Sequence, residues 1–224
     1  AGDGGPIDLF GNAVALSGDG STALVGARND ENPHGEAGGS AYVFTRASDG
    51  WSQQSKLVAY DGGPDDRFGH SVALSTDGST VVAGAENDEN PNGDGSGSAY
   101  VFVRDGATWR QATKFSASDG GPDDHFGWSV APSGDGSTVV VGAWSDENPN
   151  GDRSGSAYVF TRASDGWSQQ SKLTAGDGGP DDWFGASVAL SSDGSTALVG
   201  AENDEDPNGD GSGSAYVFTR ANGG

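Results

Sequence analysis

Phe10-Gly11, Phe68-Gly69, Phe126-Gly127 and Phe184-Gly185 recur along this chain at a constant step of 58 residues, and no insertion or deletion breaks the register. Trp51, Trp109 and Trp167 keep the same step, as do Tyr42, Tyr100, Tyr158 and Tyr216. A period of this kind means that every copy performs the same structural task against its neighbours. The chain therefore reads as a single domain, 1–224, built of units at 3–60, 61–118, 119–176 and 177–224.

Within the unit 61–118, alternating apolar and polar residues predict four strands. Ser71 to Ser75 puts Val72 and Leu74 on one face and Ala73 on the other. Thr76-Asp77-Gly78 is a tight turn, with Gly supplying positive φ. Thr80 to Ala85 is rich in β-branched residues. A polar loop, Asn87 to Gly97, leads to Ser98 to Arg104, where Tyr100 and Phe102 alternate with Val101 and Val103. Asp105-Gly106 then turns the chain into Trp109 to Phe115. No helical apolar period runs anywhere, and Gly or Pro interrupts every window.

Up-and-down strands repeated in register describe a propeller blade. The expected fold is all-β: a β-propeller of four 58-residue, four-stranded blades, the last lacking its outer strand, or part of a larger propeller. Small residues such as Ala73, Ala83 and Gly84 suit crowded inner strands, and the Trp and Tyr side chains suit the space between blades. The last unit stops short by the span of Trp51 to Val58, one outer strand. Its third strand, Ala215 to Arg220, is expected to be an open edge that the working assembly pairs.

Composition narrows the function. Thirty-three Asp and Glu oppose eleven Lys and Arg, giving a net charge of −22, and the only lysines are Lys56, Lys114 and Lys172. Such a surface repels nucleic acid and anionic membranes. Abundant Asp with scarce Lys is the pattern expected of a protein from a hypersaline medium, where screening within roughly 3 Å at molar salt relieves self-repulsion. There is no Cys, which excludes disulfides and thiolate chemistry. No segment is read as a membrane span or signal peptide, and the start at Ala1 reads as a mature or excised segment.

The pattern Phe-Gly-x-Ser-Val-Ala-Leu-Ser-x-Asp-Gly-Ser-Thr, then Val-x-Gly-Ala, then Gly-Ser-Ala-Tyr-Val-Phe, resembles the FG-GAP repeat family, whose repeats form the integrin α-subunit propeller. Here Phe68-Gly69 and Gly84-Ala85 are the name-giving elements, with Arg28, Glu86, Trp144 or Glu202 where the family carries proline. The resemblance spans the whole chain. It implies an extracellular or cell-surface propeller used in adhesion and commonly stabilised by calcium. Integrin-type propellers have seven blades, and the family's calcium loops lie in a different inter-strand turn.

The polar loop after the second strand is the candidate calcium site: Asp88, Asn90, Asn92 and Asp94 in unit two, Asp146, Asn148, Asn150 and Asp152 in unit three, Asp204, Asp206, Asn208 and Asp210 in unit four. Oxygen side chains at alternate positions followed by Gly converge on one hard cation as such a loop curls. With few direct carboxylates the expected affinity is weak, of the order of 10⁻⁴ to 10⁻³ M. In unit one His34 stands where a hard cation wants oxygen, so a metal-free loop is expected there. A second acidic run, Asp61 with Asp65-Asp66 and its copies at Asp119, Asp123-Asp124 and Asp177, Asp181-Asp182, reads as a solvated turn.

Catalysis is not expected: His34, His70 and His125 occupy different or variable unit positions, and no inserted loop breaks the repeat symmetry. The variable positions around Phe-Gly and after Gly-Ala are better clues to binding. If their loops share one face, Trp128, Trp144, Trp183, His125 and Arg67 make an aromatic patch for a glycan or a protein. The leading reading is a structural or adhesive surface module that contacts protein partners or self-assembles through its open edge; a lectin-like binder is the alternative. Near-identity of Arg46–Leu57 with Arg162–Leu173 fits recent duplication or an engineered repeat equally well.

Overall fold

The computed structural model describes residues 2–205, 209 and 211–220. Each unit forms one antiparallel sheet whose strands pair in chain order. The first sheet holds β1 (Val14–Leu16), β2 (Thr22–Ala27), β3 (Ser40–Ala47) and β4 (Gly50–Leu57). The second holds β5 (Ser71–Leu74), β6 (Thr80–Ala85), β7 (Ser98–Asp105) and β8 (Thr108–Phe115). The third holds β9 (Ser129–Pro132), β10 (Thr138–Ala143), β11 (Ser156–Ala163) and β12 (Gly166–Leu173). The fourth holds β13 (Phe184–Leu190), β14 (Thr196–Ala201) and β15 (Ser214–Thr219), which leaves β15 at an edge.

Sequence patterning predicted the strands of the second sheet to within one residue at their ends, but not one irregularity. The outer strand carries a β-bulge at the same place in the first three sheets, opposite Val43/Phe44, Val101/Phe102 and Val159/Phe160. A bulge inserts one residue and re-aims a side chain. Here the extra residue of the first sheet is Gln54, whose Oε1 accepts a 3.0 Å bond from Trp109 Nε1 in the next sheet.

Successive sheets pack face to face. Leu24, Ala41, Val43 and Leu57 of the first meet Phe68, Val72, Val81, Tyr100 and Phe102 of the second, and two further clusters fill the second/third and third/fourth spaces. The two glycine motifs form this interface together. A Cβ on Gly84 would stand 1.8 Å from the carbonyl oxygen of Gly127, and one on Gly127 would stand 2.2 Å from that of Ser98. The Gly-Ala of one unit and the Phe-Gly of the next therefore interlock backbone to backbone, which only glycine permits.

Among the described residues no apolar cluster joins the fourth sheet to the first. Among the described residues the series is open at both ends. Phe68 is 0% exposed, edge-on to Tyr100 and Phe102, whereas its equivalent Phe10 keeps the same ring contacts but is 44% exposed. Phe68→Ala is accordingly expected to destabilise the chain by about 3–5 kcal/mol, and Phe10→Ala by about half that or less. Urea titrations of both variants check this; equal losses would show that the first sheet is covered in solution.

Candidate functional site

Asp88 opens the loop after β6, and the fold consumes its carboxylate. It accepts bonds from Ser98 Oγ at 2.7 Å and Tyr100 OH at 2.9 Å, and the Lys114 ammonium lies 2.9 Å away. Lys114 also meets Asp61 at 2.8 Å, so it joins the two acidic runs that sequence reasoning had kept apart. Lys172 joins Asp119 to Asp146 at 2.8 and 2.9 Å, and Lys56 joins Asp3 to Asp30 at 2.8 Å each. The available signal was the lysines themselves, since the only three in the chain stand at the repeat period.

The loop asparagines are also engaged. Asn90 Oδ1 accepts the Asn92 N–H at 2.9 Å and its Nδ2 donates to the Gly97 carbonyl at 2.8 Å. Asn92 Nδ2 donates to Ala117 O, and Asn148 and Asn150 repeat these bonds. In unit one Asn32 does the same with His34 N and Gly39 O. Asp94 and Asp152 line polar pockets beside the linkers, with Asp61, Asp66 and Asp123 around the first and Asp119, Asp123 and Asp124 around the second. Asp206, Asn208 and Asp210 lie outside the described residues. Among the described residues no group of three or more His, Cys, Asp or Glu is placed to hold a metal. In units one to three the first aspartate of the loop holds an ammonium: its carboxylate is shared among a hydroxyl, a phenol and Lys Nζ, and the Asn amides bond to backbone.

The second acidic run is only partly a solvated turn. Asp66, Asp124 and Asp182 are buried, each accepting the N–H of a linker glycine, Gly63, Gly121 or Gly179. Burial, assisted by the charge of Asp146, pushes the Asp124 carboxyl up to about 6, against the Gly121 hydrogen bond and the charge of Lys172. A carboxyl whose folded pKa is raised keeps a proton that the unfolded chain has lost, so its contribution to stability falls as pH rises from about 4 to about 6. Asp124→Asn is expected to remove that contribution, of the order of 2 kcal/mol. Denaturant midpoints at both ends of this pH window measure it, and an unchanged pH slope in the variant would contradict the assignment.

The variable loops do share one end of the sheets. His125 stacks on Trp144 with ring centroids 5.6 Å apart, Trp144 meets Trp128 at 5.5 Å and Trp183 at 5.1 Å, and His70 meets Trp128 at 4.5 Å. Arg67 joins the group through Glu86, at 2.9 Å, and His125 Nδ1 lies 3.0 Å from the same carboxylate. Burial would raise the Glu86 carboxyl, but the bonds from His125 and Arg67 and the charge of His70 hold it down to about 2. The residue before each Phe is left-handed and not glycine: Leu9 at φ 56°, Arg67 at 58°, His125 at 55° and Trp183 at 60°. Such backbone costs on the order of 1 kcal/mol or more and is characteristic of display positions. The buried Nε1 atoms of Trp144 and Trp183 have no hydrogen-bond partner.

No helix among the described residues is long and apolar enough to cross a membrane. The carboxylates of Asp30, Asp88 and Asp146 are each engaged by a lysine of the same unit, so these repeat-borne groups serve the all-β repeat fold as structural elements. A family model described as FG-GAP repeat matches residues 1–44, 51–102, 109–160 and 167–218. Each of the last three matches starts at the outer strand of one sheet and ends in the third strand of the next. A search of curated proteins finds no significant match.

Proposed function

The chain belongs to the FG-GAP repeat family, and from that premise we propose that it is a non-catalytic, extracellular or cell-surface adhesion module, an arc of β-propeller blades whose end faces bind further blades or other protein partners. One observation carries this reading. The apolar interface made between successive sheets is left half-made at both ends, with Val14 70% and Leu16 62% exposed on the first sheet and Val217 66% on the fourth. Contiguous apolar surface of this kind marks an interaction site. The two faces are complementary, so head-to-tail association closes or extends the series. The acidic surface suits such contacts in molar salt, where like-charge repulsion is screened.

Sedimentation of the purified chain from low to molar salt tests the reading. Concentration-dependent association is expected, and Val14→Glu with Leu16→Glu abolishes it. A chain that stays monomeric throughout and binds no FG-GAP unit would sink the proposal.

In units one to three a lysine ammonium sits on the first aspartate of the loop whose side-chain spacing suggests calcium. Chelation is therefore expected to leave the melting temperature where it was. A clear calcium-dependent rise, which mass action grants any ligand of the folded state, would restore the metal.

A second reading is favoured by the aromatic end of the sheets. Trp128, Trp144 and Trp183, which meet ring to ring, and the flanking His125 and Arg67 offer stacking surfaces and charged donors suited to carbohydrate. Glycan-array binding lost in Trp128→Ala and Trp144→Ala supports a lectin-like role, and an array without hits dismisses it.

A further inference from the structure

The outer strand of each of the first three sheets brings three side chains to fixed places. Its lysine, opposite the tyrosine of the third strand, enters the aspartate pair: Lys56 opposite Tyr42, Lys114 opposite Tyr100 and Lys172 opposite Tyr158. Its tryptophan can seat against the preceding sheet, as Trp109 does by donating to Gln54 and Trp167 by meeting Phe115 edge-on at 5.2 Å. In the second and third sheets its glutamine holds the preceding linker, Gln111 accepting the Tyr60 N–H at 3.0 Å and Gln169 the Ser118 N–H at 3.1 Å.

Around β15 the receivers of these groups are present. Tyr216 OH donates to Asp177 at 3.0 Å, and Asp204 is buried beside Asp182. All three lysines of the chain are paired within the first three sheets, so no lysine ammonium enters the fourth acidic cluster. Burial, with the hydrogen bond and charge of Asp204, outweighs the Gly179 N–H and raises the Asp182 carboxyl above its ordinary range. Between the third and fourth sheets lies a groove of about 320 Å³ lined by Val159, Gln170, Leu173, Ala197 and Phe218. Leu173 stands one repeat after Phe115, the ring against which Trp167 is seated.

We propose that the free edge of β15 is a receptor for an added strand of the pattern Trp-x-Gln-x-x-Lys, supplied by an FG-GAP unit other than the four of this sequence. The strand runs antiparallel to β15, with its lysine opposite Tyr216 between Asp177 and Asp204 and its tryptophan in the groove. Backbone bonds give such strand addition its affinity, and the side-chain receivers give it specificity. The inference rests on the reading of the chain as an interaction module and names the chemistry of the partner.

The test uses the 224-residue chain carrying Val14→Glu and Leu16→Glu, so that association through the first sheet does not intervene. A synthetic peptide with the sequence of residues 164–176 is titrated by calorimetry, with amide exchange of β15 followed in parallel. Saturable one-to-one binding with protection of β15 is expected. Peptides carrying Lys172→Met or Trp167→Ala should each bind at least about tenfold more weakly, and a scrambled peptide not at all. Absence of binding by the parent peptide, or equal binding by the Lys172→Met peptide, would overturn the proposal. Protection of β15 in the chain alone, with sedimentation showing a dimer, would place a second copy on the edge and overturn it too. None of these outcomes bears on association through the first sheet, which sedimentation of the unsubstituted chain reads separately.

Discussion

Gly142→Ala is expected to cost about 3 kcal/mol or more and to release the fourth sheet from the third, while Gly200→Ala changes stability by about 0.5 kcal/mol or less. The two glycines occupy the same place in successive units, and an added Cβ would meet a serine Oγ at 2.4 Å in both, Ser129 or Ser187. A hydroxyl on a rotatable side chain can swing away. What differs is the carbonyl oxygen of Gly185, which would lie 2.0 Å from a Cβ on residue 142 and has no counterpart near Gly200. Relief of that clash requires moving the backbone of the next sheet. In an array of nearest-neighbour units, breaking one interface lets the end unit unfold before the rest. The variant should therefore melt in two steps, the first about 6–12 °C below the wild-type transition. Early exchange of the β13–β15 amides would identify the released sheet. A single, unshifted transition would show that the glycine interlock contributes little.

How much of this was legible in the sequence depends on the range of the interaction concerned. The strands follow from local alternation, as in Tyr100 and Phe102 against Val101 and Val103, and the turns from Asp-Gly pairs, so both could be read within one unit. The repeat then placed the same elements four times over. The aromatic end was also foreseeable, because variable residues flanking invariant motifs had to emerge together once the units stacked. The bulge opposite Val101/Phe102 has no local signature, since it is set by what the extra residue reaches in the neighbouring sheet. The loop from Asp88 to Asp94 shows a different limit. Alternating oxygen side chains fit both a calcium cage and a self-bonded turn, and the choice depends on Lys114, which arrives from a strand 26 residues further on. Its charge competes for the same carboxylate, a fact visible only across the sheet.

The second large effect is expected at that lysine. Lys114→Met leaves Asp88, 1% exposed, without its counter-charge while Ser98 and Tyr100 still bond to it. Removing one partner of a buried pair typically costs about 3–5 kcal/mol, because the remaining charge stays desolvated. The Lys114 side chain is a quarter exposed, so the lower end of that range is the better expectation, and about 6–12 °C in melting temperature. Burial would lower the Lys114 pKa, but its bonds to Asp61 and Asp88 and the charge of both raise it. The stabilisation is therefore complete below the ordinary lysine pKa and is lost only as the pH rises through the higher folded value. Wild-type and variant should differ by a constant amount from neutral pH to about 10 and converge above it. Adding Asp88→Asn to Lys114→Met removes the stranded charge and should recover about half of the loss or more, since replacing both members of such a pair is often near neutral. If the single substitution costs nothing, or the double costs as much as the single, the ammonium is not what balances this loop, and calcium returns as the cation to be sought there.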